Sequence, residues 1–174
     1  PDDSSADPET TTWACIALGV ARRTCFPAVD AALFEKASGS MSSVEGRPAV
    51  DLAARRTVAR LFATLPAEST QWIDNYGLLT SWEGPDGRPR FAEWHWGTLA
   101  TWLAAGPGSE TFRTWELEVR RELVRLQRPA GSGADSGSWD PPEGSGLGRN
   151  GVTALNVLTL LVRTRYRGDA LYDR

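Results

Sequence analysis

The chain has few of the residues on which recognisable chemistry depends. Its 174 residues include one histidine, His95, and two cysteines, Cys15 and Cys25, which lie ten residues apart and outside any Cys-x-x-Cys pair. This spacing does not match a zinc-ligand set, so the sequence predicts no metal site and no cofactor. A single histidine gives no basis for a Ser-His-Asp triad, and we predict no catalytic residue. Both cysteines are expected to be buried thiols in a reducing compartment, which favours a cytoplasmic location.

Charge and hydropathy argue against two further classes of protein. Basic side chains number 19 against 22 acidic ones, so there is no basic excess of the kind that binds nucleic acid. The longest apolar run, 152–162, has the length of a buried helix and is shorter than the ~20 residues that span a membrane. The sequence begins with Pro1 and carries no signal peptide, so we expect a piece of a longer protein.

Helical periodicity is the main positive signal. Residues 1–9 are acidic and contain two prolines, which is typical of a flexible lead-in. The remaining residues, 10–174, are expected to form one domain. No segment shows sustained period-2 alternation, and the chain is predicted to be all-α. The predicted helices cover 10–23, 27–37, 49–65, 68–80, 91–105 and 109–128, and a seventh begins near 151.

The spacing of apolar residues also predicts which faces of these helices are buried. The first helix should be capped by one of three threonines, 10–12, and the sixth by Ser109. In the third helix, three arginines (55, 56 and 60) are expected to form a polar edge. The predicted inward residues are Trp13, Ile16, Ala17 and Val20 in the first helix and Phe112, Trp115, Val119, Leu123 and Leu126 in the sixth. The last helix is predicted to be apolar, with the run Val152, Leu155, Leu158 and Leu161.

The connections between the predicted helices alternate in length. Those at 24–26 and 106–108 are tight, whereas others are long and rich in glycine. Alternation of this kind is typical of stacked helical hairpins with a repeat of ~40–50 residues.

Three motifs resemble the α/α-toroid repeat of terpenoid cyclases and prenyltransferases. Gln127 followed by Gly137-Ser138-Trp139 is similar to the QW repeat of squalene–hopene cyclases, in which a glutamine caps a helix end and a tryptophan stacks over it. The segment from Gly148-Arg149 to Arg165-Tyr166 resembles the last inner helix of bacterial proteins with prenyltransferase and squalene-oxidase repeats. The run Trp94-His95-Trp96-Gly97-Thr98 resembles the start of their preceding inner helix.

This resemblance implies an α/α-toroid arc of about three and a half helical hairpins, a partial barrel. The first, third, fifth and seventh helices would be inner and the others outer. The arc would have an open edge that exposes apolar side chains unless another chain segment covers it. The chain departs from the family in lacking the Asp-x-Asp-Asp acid motif of the cyclases and the zinc ligands of the prenyltransferases.

Two groups of residues are candidate sites. Trp82, Trp94, His95 and Trp102 could line an aromatic pocket for an apolar or peptide ligand at the centre of the toroid. The alternative for His95 is a ring packed among aromatics at a helix start. Gln127, Trp139, Asp140 and Arg149 are predicted to form a structural clasp, with Trp139 stacked on a helix end and Asp140 paired with Arg149 or capping a local turn.

The favoured function is a non-catalytic helical-repeat interaction or scaffold module. It would bind another polypeptide, or another segment of its parent protein, at the open edge of the toroid. One alternative is the C-terminal part of a terpene-cyclase-like enzyme whose catalytic acid lies upstream. A second alternative is a fragment released by proteolytic processing.

Overall fold

Every element of the described structure is helical. The structure is a computed structural model, and it describes residues 7–24, 30, 32–33, 36–37, 49–62, 88–106, 108–143 and 145–165. Within these ranges there is no strand, and the all-α prediction is confirmed. The helices are α1 (Pro8–Thr24), α2 (Ala49–Phe62), α3 (Phe91–Ala105), α4 (Glu110–Leu126), α5 (Arg149–Leu160) and α6 (Val162–Arg165), with a 3-10 turn at Gly133–Asp135.

Two of the predicted helices cannot be compared with these elements in full. The predicted helix at 68–80 lies outside the described residues. In the predicted helix at 27–37, residues 32–33 and 36–37 are described and helical, whereas Asp30 is described and is not helical. The chain forms two compact units, Pro1–Trp82 and Glu83–Arg174. The single domain predicted for 10–174 stays a prediction.

The first unit contains α1, which begins at Pro8, within the predicted lead-in. The backbone N–H of Thr10 donates to Asp7 Oδ2 at 2.9 Å, so Asp7 caps the helix. Proline is favoured as the first helical residue because its fixed φ is already helical and it has no N–H to leave unpaired. The predicted threonine cap is therefore wrong, because the preceding aspartate already satisfies the free N–H. Thr12 is buried and donates instead to the carbonyl of Pro8.

The buried face of α1 differs from the predicted one. Trp13 is 43% exposed and Ala17 is also exposed, whereas Thr12, Cys15 and Gly19 are buried. These three residues follow a helical spacing of three and four, and their small size allows a neighbouring helix to approach closely. Because α1 packs against α2, the small-residue face is the one that becomes buried.

Helix α2 contains a buried charge that the sequence did not predict. Arg55, expected at a polar edge, is fully buried, and its Nε lies 3.0 Å from both carboxylate oxygens of Asp51, one turn earlier. Its Nη2 also lies 3.9 Å from Glu9 of α1. An arginine enters a helix interface only where carboxylates accompany it, since an unpaired buried charge is costly. The predicted polar edge is therefore wrong for Arg55, because the carboxylates of Asp51 and Glu9 balance its charge in the helix interface.

Helix α3 is the core of the second unit. It has the bounds that the sequence predicted, and 12 of its 15 residues are buried. It packs against α4, α5 and α6. Gly97 permits the contact with α4, because a Cβ at this position would overlap the ring of Trp115. The indole Nε1 of Trp115 donates to Thr98 Oγ1 at 3.0 Å, and the Thr98 hydroxyl donates to the carbonyl of Trp94.

Helix α4 has one face in the core and one in solvent. Ser109 caps it as predicted, since its Oγ accepts from the N–H of Phe112 at 3.1 Å. The inward face is confirmed in four of its five predicted residues, and the fifth, Leu126, is half-buried. The solvent face carries ion pairs one turn apart, such as Glu122–Arg125 at 2.7 Å. The four buried residues are Phe112, Trp115, Val119 and Leu123.

Helix α5 buries a different face from the predicted leucine run. Its buried residues are Val152, Asn156 and Thr159, whereas Leu161, just after the helix, is exposed. Of the four residues of the apolar run, only Val152 is buried. A helix that is apolar on most sides does not specify which side faces the core, and here the polar Thr159 is buried beside α3 through its contact with His95.

Candidate functional site

Trp139 joins the loop after α4 to the end of that helix. Its side chain is buried, and Nε1 donates to the carbonyl oxygen of Leu123 at 2.7 Å. The last carbonyls of a helix have no partner within the helix, so an indole N–H can satisfy one while its ring covers the helix end. Trp139 therefore lies over the end of α4, as expected from the sequence.

Gln127 fastens the same loop from the other side. It is the C-cap residue of α4, and its Nε2 donates to the carbonyl of Gly137 at 2.7 Å. The backbone next to it is paired as well: the Arg128 N–H donates to Ser138 O at 2.9 Å, and the Gly137 N–H donates to Arg128 O at 3.1 Å. Gly137 has a φ of 78°, a conformation that glycine adopts without a steric penalty.

Four charged residues form a cluster on the surface of this loop. Arg149 lies 2.9 Å from Asp140, so the pair expected from the sequence is present. Arg128 lies 3.0 Å from Asp140 and 3.5 Å from Asp135, and Arg149 also pairs with Asp135. The hydrogen bond from Arg128 is the main reason that the pKa of the Asp140 carboxyl lies below its ordinary value, and Arg149 adds to the effect.

The four predicted clasp residues therefore lie together, with two partners that the sequence did not reveal. Arg128 and Asp135 complete the cluster, but an arginine and an aspartate in a polar loop carry no signal of their pairing. The two arginines and the two aspartates of the cluster form ion pairs with one another. These ion pairs hold the chain between α4 and α5 in place. The ion pairs of Arg149 connect the loop to the start of α5, and the role of a structural clasp stays a prediction.

His95 lies in the interior beside α5. It is buried, its Nδ1 lies 3.1 Å from Thr159 Oγ1, and its ring contacts Trp96 edge-on. The Thr159 hydroxyl donates its own proton to the carbonyl of Leu155 at 2.8 Å. A hydroxyl has one proton, so Nδ1 of His95 must be the donor in its bond to Thr159. The ring thus links the start of α3 to the end of α5.

The other predicted pocket residues are also interior where they are described. Trp94 packs edge-on against Phe91, and Trp102 packs edge-on against Phe112. Both tryptophans are buried. Each ring therefore has its own aromatic neighbour in the core of the second unit. Trp82 lies outside the described residues, and the ligand pocket stays a prediction.

A small cleft opens between α3, α4 and α5. Glu116, mostly buried, lies 3.7 Å from Arg120 and 3.6 Å from Arg163, so its carboxylate is already paired with two arginines. The lining residues are Thr98, Glu116, Val119, Arg120, Thr159 and Leu160.

The side-chain amide of Asn156 is an unusual feature of the interior of α5. It is fully buried, and neither of its polar atoms makes a hydrogen bond to the residues that the structure describes. Buried amides are nearly always bonded, because burial removes their contacts with water. The amide therefore costs stability at this position unless something else binds it.

The side of α5 that faces away from this interior is apolar and exposed. Val157 and Leu161 are 42% and 43% exposed, and Ala154 lies on the same side of the helix, one turn before Val157. Leu147, which is also exposed, extends the surface past the helix start, where a Cβ added at Gly151 would meet its side chain at 3.4 Å. We call the four residues Leu147, Ala154, Val157 and Leu161 the α5 stripe. Those within the helix lie at positions that share one side, so they form a continuous band.

The sequence did not single out the α5 stripe. It predicted an open apolar edge and gave Leu161 only as part of the apolar run of the last helix. The signal that was available is the apolar character of both sides of 152–161, which is more than one buried face requires.

The described part of the chain has neither a metal-binding group of side chains nor a membrane-spanning helix. Within the ranges that the structure describes, no three His, Cys, Asp or Glu side chains lie close enough to hold a metal ion together. In the same part of the chain, no helix is long and apolar enough to cross a membrane. No family model, curated protein or solved structure matches this chain.

Proposed function

We propose that this protein is a non-catalytic interaction or scaffold module of the α/α-toroid type, which binds another polypeptide through the α5 stripe. The observation that carries the proposal is the exposure of Val157 and Leu161 on one side of a well-formed helix. Single exposed apolar residues are ordinary, but a continuous band of them is typical of a surface that another element covers.

The way the helices pack supports the toroid arrangement. In such a fold, each inner helix contacts its own outer helix and the next inner helix. Helix α3 packs against both α4 and α5. Helix α1 packs against α2. These two correspond to the first and third predicted helices, which are neighbouring inner helices in the toroid arrangement. Helix α3 is buried on nearly all sides, whereas α4 buries only one face, as inner and outer helices would.

The connection between α4 and α5 supports the same arrangement. A glutamine at the end of one helix and a tryptophan about twelve residues later fasten the loop to that helix, through Gln127 Nε2 and Trp139 Nε1. Such a fastening fixes the angle at which the next helix leaves, and a fixed angle at each connection is what gives a helical repeat its curvature.

Photo-crosslinking tests the proposal. A benzophenone amino acid replaces Val157 in the α5 stripe, and in a control protein it replaces Arg121, whose side chain is 70% exposed on α4. In the native host cell, irradiation is expected to give a discrete polypeptide adduct at position 157 and none at 121. The adduct should disappear when the same chain also carries Leu161→Lys, because a charge within the band prevents burial. Equal labelling at 157 and 121, or an adduct that survives Leu161→Lys, would contradict the proposal.

A further inference from the structure

We draw no further inference here: the strongest candidate, the exposed apolar surface patch on α5 that forms the α5 stripe, is the surface already used by the proposed function, and nothing in the structure shows what covers it.

Discussion

The indole Nε1 of Trp139 donates a 2.7 Å hydrogen bond to the carbonyl oxygen of Leu123, sixteen residues earlier. Both side chains are buried, and the bond closes the C-terminal end of α4. Gln127 and the ion pairs of Arg128 also hold the loop between them, but among residues 127–143 Trp139 alone is buried. This one residue therefore supplies both the apolar burial and the hydrogen bond that fasten α4 to the segment leading into α5.

Replacement of Trp139 should separate these two contributions. Trp139→Ala is expected to lower the free energy of unfolding by about 3–5 kcal/mol, the usual cost of emptying a large buried site. Trp139→Phe keeps much of the apolar volume but leaves the Leu123 carbonyl without its donor, and should cost less, about 1–3 kcal/mol. Denaturant unfolding measures both values. A loss well below about 1 kcal/mol for the alanine variant would show that the loop does not fasten the helix.

Gly97→Ala should destabilise the packing of α3 against α4. An added Cβ would overlap the ring of Trp115, and that ring is held in place by its bond to Thr98. We expect a loss of at least about 2 kcal/mol, since the ring or the helix must move. Gly108→Ala is the control, because a Cβ there meets no atom. Similar melting temperatures for the two variants would contradict the close approach.

Asn156→Leu is expected to stabilise the protein by about 1–2 kcal/mol. The amide is fully buried and makes no hydrogen bond within the described part of the chain, so folding removes its solvent contacts without replacing them. Leucine has a similar size and carries no such penalty. Thermal unfolding followed by calorimetry measures the change. A decrease in stability would mean that the amide binds something within the folded protein, such as an ordered water.

Asp140→Asn should reduce the dependence of stability on acid pH. The pKa of Asp140 lies below its ordinary value of 3.8 in the folded protein, chiefly through the Arg128 hydrogen bond. A lowered folded pKa means that the stabilisation is present above the unfolded value and is lost as the pH falls through the folded one. The unaltered protein should therefore lose melting temperature more steeply below about pH 4 than the variant does.

Glu143→Gln provides the charge-matched control for that experiment, since Glu143 lies in the same loop and is exposed. It should leave the acid slope as steep as in the unaltered protein. If Asp140→Asn and Glu143→Gln flatten the slope equally, the effect comes from net charge and not from the ion pairs of the clasp.

The positions of the helices could be predicted because they depend on local properties. The 3.6-residue periodicity, the Ser109 cap and the stop at 106–108 lie within one or two turns of the elements they define, and α3 has the predicted bounds. The clasp was partly predictable for the same reason, because Gln127 and Trp139 are separated only by a short loop. Arg128 and Asp135 were not, since ion pairing between loop residues depends on how the loop is folded.

The sequence by itself determined that the described part of this protein is helical, where α3 begins and ends, and that a tryptophan lies at the end of α4. Only the tertiary structure decided which sides of α1 and α5 are buried. Both helices are apolar on more than one side, so periodicity admits several orientations, and the choice is made by the neighbour that packs against them. The burial of Arg55 has a related explanation: Asp51 pairs with it within α2, but Glu9 comes near it only because α1 packs against α2. The α5 stripe is the side of α5 that this choice left in solvent.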